Sequence, residues 1–338
     1  MADEIRGAVI GYGAAFNMGR HHAHAMNNQD GMKTVAILDI DKARTDAAQK
    51  DFADIETFNS LDDMLAWGEF DVAVNVLPHN LHHPVTLPCL QAGKHAIVEK
   101  PFTITIAEAT ELIETAKKKE VVLTVHHNRR WDADFWTLKN LVASGIIGQV
   151  YNVEMWGGGY GRPNPNWWRS VKAVSGGAFY DWGAHFIDWL LNVIPEKMIN
   201  ITGFFHDLVW HDISNEDHVH GIIRFANGCS ADIQMSNIAK VGKPRWRLLG
   251  SHGSIVSDGG KYKILSEVEG FDKESEVGFS GRPGPSFYTN FVAHVNDPEN
   301  NPLIVTPESA RRVIAVLELS EKSAHSHQSE TAPYEFEE

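Results

Sequence analysis

The sequence predicts two domains, an α/β domain built on a parallel sheet followed by an α+β domain with a large, mainly antiparallel sheet. Three observations carry this expectation. Short apolar strands alternate with helical segments up to about residue 125. Beyond two further helical segments, strand-like runs follow one another on short Gly/Asn turns. A chain of 338 residues also suits two domains better than one. The boundary is placed after residue 125, giving domains of residues 1–125 and 126–338.

In the first half, Ala8–Ile10 is a short apolar run ending in Gly11, and a helix is expected through about Met18–Met26. Val35–Leu38 is the second strand, with Asp41–Lys50 helical after it. Ser60-Leu61-Asp62-Asp63 opens a short helix with a capping-box pattern. Val72–Val76 is the third strand, and Pro84–Ala92 a helix stopped by Gly93. Ala96–Val98 follows as the fourth strand. Thr105-Ile106-Ala107-Glu108 is a capping box whose helix ends in Lys117–Lys119, where cations favour the helix dipole. Val121–Val125 is the fifth strand. Strands this short and this apolar are covered on both faces, and ligands of such sheets bind outside the C-terminal strand ends.

In the second half, Asp134–Ser144 and Phe179–Asn192 read as helices. The strand candidates are Ile199–Phe205, Val219–Phe225, Ser230–Met235, Trp246–Leu249 and Ile255–Val256. Thr306–Ala324 is a last amphipathic helix.

Composition narrows the function classes. No apolar stretch approaches the roughly 20 residues that span a bilayer. The N-terminus, Met1–Arg6, runs directly into a strand without the basic-then-apolar layout of a signal peptide, so a cytoplasmic protein is expected. A net charge of −14 argues against nucleic acid and anionic membrane surfaces as partners. The acidic end Glu335–Glu338 reads as solvated. Cys89 and Cys229 are too few for a disulfide framework or a thiolate zinc site and read as buried small hydrophobes. The 18 histidines cluster at His21, His22 and His24, at His79, His82 and His83, and at His126 and His127. None of these has a metal-ligand spacing, so no metal is expected.

Ile10-Gly11-Tyr12-Gly13 after a strand is the start of a dinucleotide-binding turn. The first glycine permits the tight turn, the second lets backbone approach a pyrophosphate, and the helix N-terminus attracts its charge. Phe16 occupies the usual third glycine position, and Gly19 takes that role if three residues are inserted. Asp39 ends the second strand, twenty positions beyond Gly19. A carboxylate there accepts hydrogen bonds from ribose hydroxyls and repels a 2′-phosphate, so NAD is expected over NADP. The alternative is that Asp39 only caps the next helix together with Asp41.

Glu99-Lys100-Pro101 follows the fourth strand directly and so sits at the ligand-binding rim. A lysine there can hydrogen-bond a substrate hydroxyl, with its pKa lowered by the positive nicotinamide. Asp181, His185 and Asp188 lie at i, i+4 and i+7, and hence on one helix face. The competing reading is a core histidine satisfied by two carboxylates. The loop Trp156–Arg169 mixes aromatic rings with Asn and Arg, which suits the C–H faces and hydroxyls of a sugar. It points to Trp168 and Arg169 near the substrate, or else to tryptophans that only pack between domains.

Together these segments resemble the Gfo/Idh/MocA family, that of glucose-fructose oxidoreductase, myo-inositol dehydrogenase and rhizopine-type dehydrogenases. The matching marks run through most of the chain: Gly11-Tyr12-Gly13, Gly19-Arg20-His21-His22-Ala23, Asp39, Pro78-His79-Asn80 with His83, Ala92-Gly93-Lys94-His95, Glu99-Lys100-Pro101, Arg129-Arg130, and Gly176-Gly177 leading to Asp181, Gly183, His185 and Asp188. The lengthened glycine turn departs from the usual pattern.

The resemblance implies an α/β Rossmann domain with a parallel sheet plus an α+β domain with an open-faced, mainly antiparallel sheet. The exposed face would build a homodimer or homotetramer, and the site would lie in the cleft between the domains. Lys100, Asp181 and His185 would bind substrate and transfer protons. Glu99 and Pro101 would shape the nicotinamide pocket. Cofactor contacts are expected from Gly11, Gly13, Ala14, Phe16, Asn17, Met18, Asp39, Leu77, Pro78, Asn80, His83, Glu99 and Lys100, and further substrate contacts from Arg129, Trp168 and Arg169. Arg129 and Arg130 either meet substrate or seal the domain junction. The expected activity is NAD-dependent hydride transfer at a hydroxyl carbon of a sugar, glycoside or cyclitol, with His185 as base, Lys100 as hydrogen-bond donor and the second choice of base, and Asp181 orienting substrate or His185. The alternatives are a redox-neutral glycosidase acting through a 3-keto intermediate, and a non-catalytic dinucleotide-binding regulator.

Overall fold

The computed structural model describes residues 4–13 and 15–335. The chain forms two compact units, residues 1–127 with 284–311 and residues 128–283 with 312–338.

The first unit runs β1 (Ile5–Ile10), α1 (Met18–Asn27), β2 (Met32–Leu38), α2 (Lys42–Asp51), β3 (Glu56–Phe58), α3 (Leu61–Trp67), β4 (Val72–Asn75), α4 (His82–Gln91), β5 (His95–Val98), α5 (Ile106–Lys119) and β6 (Leu123–Val125). All six strands are parallel, in the order β3-β2-β1-β4-β5-β6. The chain therefore changes direction between β1 and β4, which opens a ligand crevice at their C-terminal ends. Ala8, Ile10, Ala36, Leu38 and Ala73 on the strands bury against Met64, Phe70 and Cys89. Burial pushes the Cys89 thiol up to about 12, so it stays protonated and acts as a small hydrophobe. Local signals start α3 and α5 as expected, capped by Ser60 and Thr105. Glu108 N–H donates to Thr105 Oγ1 (3.2 Å) while Thr105 N–H donates to Glu108 Oε2 (3.0 Å).

The second unit contains α6 (Ala133–Ala143), β7 (Val150–Gly158), α7 (Lys172–Ser175), α8 (Trp182–Val193), β8 (Met198–His206), β9 (His218–Phe225), β10 (Ser230–Ser236), β11 (Trp246–Gly250), β12 (Gly253–Asp258), β13 (Lys261–Val268) and β14 (Phe271–Gly278). Near the C-terminus come α9 (Phe287–Asn296), α10 (Pro307–Ser326) and β15 (Glu330–Thr331). The sheet has nine strands in the order β14-β13-β12-β11-β7-β10-β9-β8-β15. Every pairing is antiparallel except β7 with β10. Along β9 and β10 buried residues alternate with partly exposed ones, the mark of a sheet covered on one face. On the covered face, Gly203 of β8 lies where a side chain would sit 1.8 Å from the Ser320 carbonyl, so the α10 backbone seats directly on the strand.

Several features depart from the sequence expectation. The sheet's central strand β7 was not anticipated, because it ends in Gly157-Gly158 and carries polar residues on its open face. β14 is mostly exposed on both faces and so has no hydrophobic period. Finally, residues 284–311 return to the first unit. There α9 buries Phe287, Tyr288 and Phe291, and the Val305 carbonyl accepts a hydrogen bond from Thr124 Oγ1 of β6 (2.7 Å). A single cut after residue 125 omits this return, since an amphipathic helix does not advertise which surface it covers. Glu335, read as part of a solvated end, is buried. It accepts from Arg312 Nε (2.6 Å) and Met198 N–H (2.9 Å).

Candidate active site

β1 runs into Gly11 at φ 102°, whose N–H donates to the Leu38 carbonyl (2.7 Å). A side chain there would meet Leu77 Cδ2 at 3.0 Å and the Val76 backbone at 3.3 Å, so both conformation and space require glycine. α1 starts behind Asn17 (φ 50°) without a side-chain cap, and Met18 is its first residue. Gly19 lies in the first turn, where a Cβ would stand 2.1 Å from the Gly11 carbonyl oxygen. Gly19 therefore performs the close helix packing of a third glycine despite the inserted residues. Gly13 and Phe16 are exposed along the turn, and Ala14 lies outside the described residues. Asp39 accepts from Tyr12 N–H (2.7 Å) and Asp41 N–H (3.0 Å). The cap of α2 is Asp41 itself, through Ala43 N–H (2.9 Å), so Asp39 is tied to the glycine turn.

After β5, the Lys100–Pro101 peptide is cis. Glu99 Oε1 accepts from His126 Nδ1–H (2.7 Å) and His22 Nε2–H (2.9 Å), and Oε2 from Lys100 N–H (3.0 Å). A carboxylate only accepts, so both rings donate to it. His22 Nδ1 then carries no proton and accepts from the Tyr288 hydroxyl (2.5 Å). Burial on its own pushes the Glu99 pKa up, but His126 and His22 hold it well below the carboxylate range. Burial, together with repulsion from His126, lowers His22 to about 4, and burial beside Glu99 raises Tyr288 well above its ordinary value. The donor atoms of His22, Glu99 and His126 all lie within 4.8 Å of one another, and their types suit a divalent cation. At 2.7 and 2.9 Å these groups are hydrogen-bonded to one another. Two ligands on one tetrahedral ion sit about 3.4 Å apart for bonds of about 2.1 Å. The cluster is a hydrogen-bonded network that fixes the backbone of Lys100.

The loop after β4 is held by buried groups. The Asn75 amide donates to the His82 carbonyl (3.1 Å) and Thr86 Oγ1 (3.0 Å), while its oxygen accepts from Leu77 N–H (3.2 Å). The His82 ring lies between the carbonyls of Pro101 (2.6 Å) and Leu77 (2.9 Å), bridging this loop to the Lys100-Pro101 turn. Pro78 and Asn80 lie in the same loop, and Asn80 Oδ1 is buried without a hydrogen-bond partner among the described residues. His83, expected beside the cofactor, pairs its Nε2 with Glu111 Oε2 of α5 (2.9 Å).

In the second unit a cavity of about 770 Å³ is walled by Trp156, Trp167 and Trp182, with Asn164, Asn215 and Asp181 among its polar groups. Gly177 (φ 124°) approaches the Glu216 carboxylate so closely that a Cβ would lie 3.0 Å from Oε2. Ala178 N–H donates to that same oxygen (3.0 Å), and this fixes the turn that leads to Asp181. Asp181 is the N-cap residue of α8 (φ −77°, ψ −80°), not a member of its face. The Asp181, His185 and Asp188 stripe therefore separates. Asp181 lines the cavity. His185 is buried against the rings of Trp182 (5.5 Å) and Trp189 (6.4 Å), outside the cavity lining. Asp188 accepts from Arg130 Nε (2.9 Å) and Nη2 (2.6 Å) in a buried pair.

The loop residues sort differently from the expectation as well. Arg169 lines the cavity, with its guanidinium over Trp168 (4.5 Å) and Trp167 (4.9 Å) and Nε 3.4 Å from Asp181 Oδ1. Trp167 reaches the cavity and Trp168 does not. Arg129 lies outside the lining, over Trp182 (4.7 Å) and bonded to Asp132 Oδ2 (2.9 Å).

Residues 5–127 match the oxidoreductase family of NAD-binding Rossmann fold, and residues 135–256 match the Gfo/Idh/MocA C-terminal domain. The chain belongs to the Gfo/Idh/MocA oxidoreductase family. It is 26% identical to scyllo-inositol 2-dehydrogenase (NADP+) of Bacillus subtilis, over 95% of this chain and 94% of the relative. It is 27% identical to myo-inositol 2-dehydrogenase of Thermotoga maritima, over 75% of each. An NAD-binding protein from Listeria innocua shares the fold with a TM-score of 0.83 at 25% identity, over 98% of this chain and 97% of that one. The family and fold class read from the motifs are borne out.

The first unit of this oxidoreductase fits an NAD molecule on its own geometry. A side chain at Gly11 would fill the turn, the N-terminus of α1 has no side-chain cap, and Asn80 Oδ1 lies buried without a partner. Among the described residues no helix is long and apolar enough to cross a membrane. Sequence reasoning gave no role to His22, His82, His126 or Tyr288, nor to the cavity residues Trp167, Asn215, Lys243 and Arg245. His22 stands in a motif that was noted. Nothing local marks Tyr288, 266 positions from the ring it bonds.

Proposed function

We propose that this oxidoreductase transfers hydride between NAD and a hydroxyl-bearing carbon of a sugar, glycoside or cyclitol. The supporting observation is the cavity, in which Asp181 and three asparagines stand among tryptophan rings. Flat aromatic surface suits the C–H faces of a ring, and the amides and carboxylate suit its hydroxyls. Both named relatives act on inositols, which supports the same reading. NAD, when bound, supplies the hydride acceptor. Gly11, Gly13, the α1 N-terminus and Asn80 would hold it. As the C–H bond weakens, the substrate hydroxyl must lose its proton. His185 is proposed to take that proton, the Lys100 ammonium to donate a hydrogen bond to the developing alkoxide, and Asp181 to orient the substrate.

The test is a spectrophotometric screen for NADH formation against monosaccharides, inositols, anhydrosugars and glycosides. Net NADH with one of these classes is expected. Product release from a glycoside without net NADH would replace the proposal by redox-neutral cleavage. Tight NAD binding with no product from any class would replace it by a regulatory role.

Asp39 is proposed to set the preference for NAD over NADP by repelling a 2′-phosphate. Asp39→Ala is expected to lower the NAD-to-NADP ratio of kcat/KM by roughly tenfold, the loss of about 1.4 kcal/mol of like-charge discrimination. An unchanged ratio would remove Asp39 from this role.

A further inference from the structure

We infer that the substrate of this cavity carries an anionic group, a carboxylate or a phosphate, on its sugar or cyclitol skeleton. This rests on the reading of the cavity as the substrate site and extends it to the substrate's charge. The chain has 44 acidic residues against 30 Lys and Arg, yet the cavity reverses the balance. Its lining holds four cations, Arg162, Arg169, Lys243 and Arg245, and two carboxylates, Asp181 and Asp217.

The two carboxylates do not match the four cations. Asp217 is taken up by backbone donors, with the N–H groups of Leu208 (2.7 Å), Val209 (2.5 Å) and Trp210 (3.3 Å) on its two oxygens. Asp181 pairs with Arg169, its Oδ1 3.4 Å from Nε. Arg162 pairs with Asp212, and Arg245 meets Asp134 through one contact of 3.3 Å. No carboxylate pairs with Lys243 among the described residues. Lys243 and Arg245 are separated only by Pro244 at the start of β11, and they share the cavity with Arg162. A concave surface richer in cations than in carboxylates, in a protein of net negative charge, favours an anionic ligand. Charge-assisted bonds from ammonium and guanidinium groups to carboxylate or phosphate are among the stronger polar contacts a site can offer.

The experiment uses the NAD-loaded protein and follows the immediate quenching of the cavity tryptophans on mixing, with NADH formation recorded alongside, so that binding is separated from turnover. The probes are matched sets: glucose, glucuronate and glucose 6-phosphate, and myo-inositol with inositol 1-phosphate. In at least one set the charged member is expected to bind about tenfold to a hundredfold more tightly than the neutral one. That advantage should shrink with added salt and collapse in Lys243→Met and in the Lys243→Met/Arg245→Met pair. The glucuronate and phosphate arms show which anion the site prefers. Neutral members binding as tightly throughout, an advantage that survives both variants, or no binding by any charged probe at millimolar concentration would each overturn the inference. Its failure is distinguishable from that of the redox proposal. A charged probe that binds selectively but yields no NADH sinks only the latter, and a neutral sugar oxidised as efficiently as its acid sinks only the former.

Discussion

Lys100→Ala is expected to lower kcat by roughly 10²- to 10⁴-fold, the range spanned by a positioned proton-transfer group, while leaving NAD binding close to that of the native protein. The reason for the separation is structural. What fixes this turn is the Lys100 backbone N–H on Glu99 Oε2 (3.0 Å) and the His82 ring on the Pro101 carbonyl (2.6 Å). Neither contact involves the lysine side chain, so its removal should spare the surrounding loop. Lys100→Arg supplies the control. Guanidinium keeps the positive charge and donates hydrogen bonds but does not release a proton in the working range. If Lys100 only stabilises the alkoxide by charge and hydrogen bonding, as proposed, arginine recovers part of kcat. If Lys100 is itself the base, arginine is as inactive as alanine. His185→Gln, measured as a pH–rate profile, completes the assignment: the fall in rate on the acidic side should vanish with whichever residue accepts the proton, because that residue must be unprotonated to act. A Lys100→Ala protein turning over within threefold of wild type would remove Lys100 from the chemistry altogether.

The second large effect concerns stability. Arg130→Ala should cost about 3–5 kcal/mol, read as a fall in the urea midpoint at unchanged slope. Arg130 and Asp188 have side chains only 6% and 3% exposed and are joined by hydrogen bonds of 2.6, 2.9 and 3.1 Å. Removing the guanidinium leaves a carboxylate sealed away from water without its counter-charge. Against a typical domain stability of about 5–15 kcal/mol, that is a substantial fraction of the total. The double variant Arg130→Met/Asp188→Leu should regain most of the loss, because no buried charge then remains to be compensated. A single variant losing less than about 1 kcal/mol, or a double no better than the single, would show that the pair is solvated in solution.

These two predictions separate residues that the sequence had drawn together. Asp181, His185 and Asp188 stand at helical spacing, and the spacing is real for His185 and Asp188. α8 begins only at Trp182, however, because Asp181 occupies its N-cap. The first carboxylate consequently lines the cavity, while the last neutralises an arginine 58 positions upstream. Of two adjacent tryptophans, Trp167 reaches the cavity and Trp168 stacks under Arg169. The turn there is set by contacts that loop composition does not encode, such as the bond from Asn215 Nδ2 to the Arg169 carbonyl (2.6 Å).

By itself the sequence determined whatever depends on neighbours within a few positions or on the period of a buried surface. The parallel half was legible because strands covered on both faces must be apolar throughout. The Thr105–Glu108 capping box was legible because its partners are three residues apart. The glycine turn, Asp39 and the Glu99-Lys100-Pro101 rim followed from their places at the ends of those strands. Only the tertiary structure decided which distant groups meet. It brought Tyr288 of a returning segment onto His22, and His126 onto Glu99, and so turned an unassigned histidine cluster into the support of the Lys100 turn. It also gathered Arg162, Lys243 and Arg245 around one cavity in an acidic chain. The physical reason is common to these cases. Local patterning specifies that a surface or a polar group must be satisfied, while the choice of partner is made by packing across long separations in the chain.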